Sequence, residues 1–191
     1  MHEERTPPNL TLRVGLAATV GVLAQILLVA IPANGRPKDI LATFVLLPPS
    51  VVPTLCVIWA LRRSRVLFPG MHGVPISLAI GSWHVTAILA GLLLSIVGLR
   101  LEHVGLPLVM SIVGTVPIAV AVWRLARWWD WGHAFWMLGV GAAVGAVGTL
   151  TSERAAPMLV VTVLWTAAIG LVAGRWLARA TVLLEEGAAV R

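Results

Sequence analysis

Six apolar stretches follow one another along the chain, at about residues 10–32, 40–61, 73–99, 104–122, 133–150 and 157–178. A helix that crosses a bilayer needs roughly 20 predominantly apolar residues. The pattern therefore predicts an all-α, polytopic membrane protein: a single integral domain built as a bundle of six transmembrane helices. Polar punctuation separates the runs. Residues 33–39 carry Asn34, Gly35, Arg36, Pro37, Lys38 and Asp39, and residues 62–72 carry Arg62, Arg63, Arg65 and then Pro69-Gly70. Residues 124–132 carry Arg124, Arg127 and Asp130, and residues 151–156 carry Glu153 and Arg154. Pro75 and Pro157 stand near helix starts, where a missing N–H costs no bond. Pro32-Ala33-Asn34-Gly35 resembles a cleavage region, but the first run exceeds the roughly 7–15 apolar residues of a signal core and further spans follow. It reads as a retained helix.

The second run is interrupted by Pro48, Pro49 and Pro53. Each proline removes a donor and crowds the preceding turn, so this helix is expected to be kinked or broken. In lipid, freed carbonyls must find partners in protein or in a water-lined cavity. Broken helices form binding sites in many transporters, while a packing kink is the plainer reading. Pro117 gives the fourth helix a milder form of the same feature.

Composition agrees with the pattern. Of 191 residues, 59% are hydrophobic and 12% charged, against about 25% charged in soluble domains. An ordinary soluble domain, a disordered chain and a collagen-like fibre are excluded, and six spans leave no room for a separate soluble domain. The net charge is +6, with basic residues scattered among loops. That distribution speaks for orientation and contact with anionic headgroups and against nucleic acid, which needs a clustered basic face. With the N-terminus cytoplasmic, the inner segments hold Arg5, Arg13, Arg62, Arg63, Arg65, Arg124, Arg127, Arg175, Arg179 and Arg191. The outer segments hold only Arg36, Lys38, Arg100 and Arg154. Both termini are thus expected inside. Seven of the nine tryptophans fall at that same level; Trp83 and Trp165 lie deep in their spans. The Ala, Gly, Arg and Trp bias points to a GC-rich bacterial source and hence to a plasma (inner) membrane.

His84 is the ionisable group set well inside a predicted span, about 16 Å from the inner end of its helix. Such residues are functional candidates by default. Ser82 and Thr86 flank it, Ser50 and Ser111 fall at similar depth, Thr115 lies one turn inward and Gln25 somewhat outward. Polar groups of four helices are thereby expected to meet near the midplane, either as a substrate pocket or as hydrogen-bonded glue between helices. No second ligand matches His84 in depth, so haem is not expected. Cys56, the only cysteine, completes no metal motif, and Asp130 with His133 falls short of a ligand set. Neither metal nor cofactor is expected.

Arg127-Trp128-Trp129-Asp130-Trp131 is the most unusual local composition. It reads as an interfacial anchor for lipid headgroups or as the docking point of a partner. Gly141/Gly145 and Gly170/Gly174 form two GxxxG pairs, expected to bring the fifth and sixth helices together. Ser50–Thr54 and Ser111–Thr115 are similar in pattern, from either hairpin duplication or chance between apolar helices. No motif names a chemistry. The leading expectation is a transport component: a permease, a channel, or the membrane subunit of a larger transporter, with an ATPase or another membrane protein as partner. The alternative is a non-catalytic accessory or assembly subunit. A third is an enzyme on a lipid-linked substrate, using Asp130 and His133.

Overall fold

The computed structural model describes residues 9–31, 36, 51–63, 106–126, 128–151 and 155–189. These residues form five helices and no strand: α1 (Leu10–Ala30), α2 (Val51–Arg63), α3 (Leu106–Ala126), α4 (Trp131–Thr151) and α5 (Ala155–Ala189). Three of them contain segments long and apolar enough to cross a membrane: Leu10–Ala30, Trp131–Leu150 and Pro157–Leu184. A shorter apolar segment, Ser111–Ala126, lies in α3. The described helices number five rather than six, and the expected span at 73–99 lies outside the described residues, as do Pro48 and Pro49.

Boundaries shift in ways local chemistry explains. α5 continues past residue 178 because nothing in Arg175–Glu186 breaks a helix; its 35 residues reach about 52 Å, beyond the ~30 Å of a hydrocarbon core. α3 continues to Ala126, through Pro117, which leaves the Val113 carbonyl without its usual i+4 donor. Pro53 is the third described residue of α2, and the chain immediately before Val51 lies outside the described residues.

The packing order is α2 on α1, α1 on α5, α5 on α4, and α4 on α3, with α3 also touching α5. Small residues set the seams. A Cβ added to Gly21 would lie 2.4 Å from Pro53 Cα, so α1 and the start of α2 meet backbone to backbone. A Cβ on Gly174 would lie 2.7 Å from the Thr11 carbonyl oxygen, and one on Gly170 2.8 Å from Ala18 Cβ. The Gly170/Gly174 face therefore meets α1, not α4. Gly141 faces α3, where an added Cβ would come within 2.6 Å of Thr115 Cγ2. The expected mutual contact of the two GxxxG faces is thus corrected: α4 and α5 do pack, but each turns this glycine face to a different neighbour.

The core gathers toward one end. Leu10 of α1, Leu61 of α2, Val122 and Leu125 of α3, Ala134 and Met137 of α4, and Trp176 and Leu177 of α5 form one buried cluster. The start of α1, the end of α2, the end of α3, the start of α4 and the Arg175–Arg179 turn of α5 are consequently at the same end of the bundle.

Candidate functional site

At that end, residues 128–130 join α3 to α4 and Asp130 caps α4. The Asp130 carbonyl accepts the Ala134 N–H at 3.0 Å, and its Oδ1 accepts the His133 N–H at 3.2 Å. Aspartate suits this position because it satisfies an orphan donor and faces the positive end of the helix dipole. Its Oδ2 pairs with His133 Nδ1 at 2.9 Å and, from α5, with an Arg179 guanidinium nitrogen at 3.5 Å. An ionised carboxylate only accepts, so the shared proton sits on Nδ1 and Nε2 is the ring's other, unprotonated nitrogen when the imidazole is neutral. Burial raises the Asp130 pKa, but the His133 side chain, the His133 N–H, the His133 charge and the Gly132 N–H together hold it below its ordinary 3.8. A carboxylate so stabilised as the anion is a poor proton acceptor, which weakens the acid–base role considered for Asp130 and His133.

The tryptophans around this cap divide between inside and outside. Trp129 is the hub, edge-on to Trp123 at 6.0 Å, Trp131 at 5.2 Å and Trp176 at 5.5 Å. Such T-shaped pairs place a positive ring edge on a negative face. Trp176 is fully buried; its Nε1–H donates to the Trp128 carbonyl at 3.3 Å, locking α5 to the α3–α4 connection. His133 lies tilted over the Trp176 ring. Trp131, Phe135 and Trp136 face outward. The interfacial segment is therefore part core and part surface: Trp129 points inward, Trp131 outward. Arg127 lies outside the described residues.

Three guanidinium groups sit on indole faces here: Arg63 over Trp59 at 5.3 Å, Arg124 over Trp123 at 5.4 Å and Arg179 over Trp128 at 5.7 Å. Arg179 and Trp176 are neighbours of the Asp130–His133 pair that sequence reasoning did not assemble. The usable signal was their four- and one-residue spacing from Arg175, in a turn whose arginines were already counted on the same side as residues 128–130.

Of the expected midplane set, His84, Ser82, Thr86 and Ser50 lie outside the described residues. Gln25 is fully buried between α1 and α2, its Oε1 accepting the Val52 N–H at 3.1 Å. This bond ties a side chain of α1 to a backbone N–H of α2 across their seam. Thr115 is fully buried in the α3–α4 seam and its hydroxyl donates to the Ile112 carbonyl at 2.6 Å. Ser111 is half-buried on the same helix, its carbonyl oxygen 3.0 Å from where a Gly141 Cβ would be. Gln25 and Thr115 thus belong to two different seams. Thr19, Thr149, Thr162, Thr166 and Thr181 likewise return their hydroxyls to carbonyls of their own helix. Among the described residues no group of three or more His, Cys, Asp or Glu is placed to hold a metal ion. No protein-family model, curated protein or solved structure matches the chain.

Proposed function

We propose that the chain is a membrane-embedded, non-catalytic component of a transport system, acting as a subunit of a larger assembly. It is read as a six-helix bundle in a bacterial plasma membrane with both termini cytoplasmic. The observation that carries this reading is the use of polar side chains inside the bundle. Gln25 accepts a backbone N–H of α2 and the Thr115 hydroxyl returns to its own helix; both engage backbone groups inside the bundle. The acid–base pair seen among the described residues, Asp130 with His133, is committed to a helix cap and an interhelical ion pair. Buried polar side chains tied to backbone groups in this way make a bundle specific and rigid, which suits a scaffold; the buried Nε1 atoms of Trp129 and Trp165 are the groups without such a partner among the described residues.

The test is a mild-detergent capture of the tagged chain from its native membrane, with mass spectrometry of the material retained. A stoichiometric membrane protein or ATPase is the expected result. A chain that purifies alone, and by itself moves or binds a solute in a manner abolished by His84→Ala, would replace the subunit reading with that of a free-standing permease whose pocket is built from His84, Ser82, Thr86, Ser50 and Ser111.

A further inference from the structure

The end of the bundle that gathers the core also gathers positive charge. Arg13 of α1, Arg62 and Arg63 of α2, Arg124 of α3 and Arg175 and Arg179 of α5 are all exposed there. The acid described at this level, Asp130, is nearly covered, its side chain 11% exposed and already paired. Three of the arginines share a further feature, the indole seat described above, on three different helices. A cation–π contact uses the flat face of the guanidinium and leaves its N–H edges available. Those edges form the fork that engages phosphate with two parallel hydrogen bonds. Arg179 shows the arrangement most fully: Trp128 on one side, Asp130 Oδ2 at 3.5 Å on another, and 62% of the side chain still exposed.

We propose that this end of the bundle selects anionic phospholipids, with Arg63, Arg124 and Arg179, seated on Trp59, Trp123 and Trp128, each taking a headgroup phosphate. Lipid is favoured over a docking protein by placement. The three seats belong to three different helices, α2, α3 and α5, of which α2 packs on α1 and α3 on α4 and α5, so they are not presented by one helix face. Trp59 is exposed with Leu55 on α2, and Trp131, Phe135 and Trp136 are exposed at the start of α4, so indole and apolar surface share this end of the bundle with the arginines, as they do at the headgroup level of a bilayer. The inference rests on the membrane reading and not on the presence of a partner subunit.

The experiment uses the full chain, purified in neutral detergent and offered an equimolar mixture of phosphatidylglycerol and phosphatidylcholine with matched acyl chains. Lipid retained after size exclusion is counted by mass spectrometry. Phosphatidylglycerol should be retained in excess, by about fivefold for each arginine that engages it, and the excess should collapse in high salt, where exposed charges are screened. The triple variant R63Q/R124Q/R179Q should lose the excess, while Arg36→Gln, beyond the far end of α1, should keep it. Where the triple variant does not elute as a single species, the three single variants carry the test. Equal retention of both lipids by the unaltered chain overturns the proposal, and so does an excess that survives the substitutions or is indifferent to salt. A protein that the unaltered chain captures and the triple variant does not, in the absence of any lipid preference, would assign these arginines to protein docking instead.

Discussion

At the residue scale, two polar side chains carry consequences out of proportion to their size. Gln25, itself fully buried, supplies an acceptor to the Val52 N–H across the α1–α2 seam. Gln25→Leu fills similar volume but leaves that donor unmet, and a buried unsatisfied group costs about 1–3 kcal/mol. The variant should unfold at lower temperature in detergent than the unaltered chain; an unchanged midpoint would show that the bond does not contribute. Asp130 offers a pH test. Its pKa is depressed in the folded chain, so its contribution is fully present above the unfolded value of 3.8 and is lost as pH falls below about 4 toward the folded value. Thermal stability should drop through that acidic window. Asp130→Asn retains a side-chain acceptor for the helix cap but removes the titrating group, so it should start lower at neutral pH and lose this acid step. An identical acid profile in both proteins would mean that other carboxylates set it.

Helix existence was legible from the apolar runs at the element scale, and helix partners were not. The runs at 10–32, 104–122, 133–150 and 157–178 correspond to α1, α3, α4 and α5 with ends moved by a few residues, or by eleven at the end of α5. Hydropathy does not register where a helix stops once it leaves the apolar layer, and the Arg175–Glu186 stretch is as good a helix former as the span before it. The GxxxG pairs were visible as small-residue faces, but nothing in one helix states which neighbour its small face meets; that is decided by depth and by the complementary face on α1, where Gly15, Ala18 and Thr11 receive Gly170 and Gly174. Asp130 and His133 were recognisable as an i,i+3 pair, whereas Arg179, 49 positions on, joins them only through the α4–α5 packing. A matched pair of glycine substitutions tests the seam. Gly174→Leu drives a side chain into the Thr11 backbone and should destabilise by about 1–3 kcal/mol or more. Gly139 has nothing within 4 Å of an added Cβ, so Gly139→Ala should be neutral or stabilise by up to about 1 kcal/mol through helix propensity. Equal effects at the two positions would contradict the assignment of the α1–α5 contact.

On the scale of the whole molecule, the structure adds a spatial reason to the charge count. Arg13, Arg62, Arg63, Arg124, Arg175 and Arg179 come from four helices, of which α1 leaves this end while α2, α3 and α5 run toward it, and one buried cluster running from Leu10 to Ala180 ties those helix segments together. A bundle in which this end faced the outside would place all six against the orientation bias that holds basic segments in the cytoplasm. The single cysteine makes the prediction measurable. In a Cys56→Ala background, Arg36→Cys marks the segment after α1 and Glu186→Cys marks the far part of α5. In intact cells a membrane-impermeant maleimide should label the first and not the second, and permeabilisation should make the second reactive. Labelling of Glu186→Cys from outside would invert the topology, and with it the expectation that these arginines meet the lipids of the inner leaflet. Weakening the bias by replacing Arg62, Arg63, Arg124 and Arg179 with glutamine together should then produce a mixed population in which both cysteines label partially, because the charges that remain no longer favour one direction strongly.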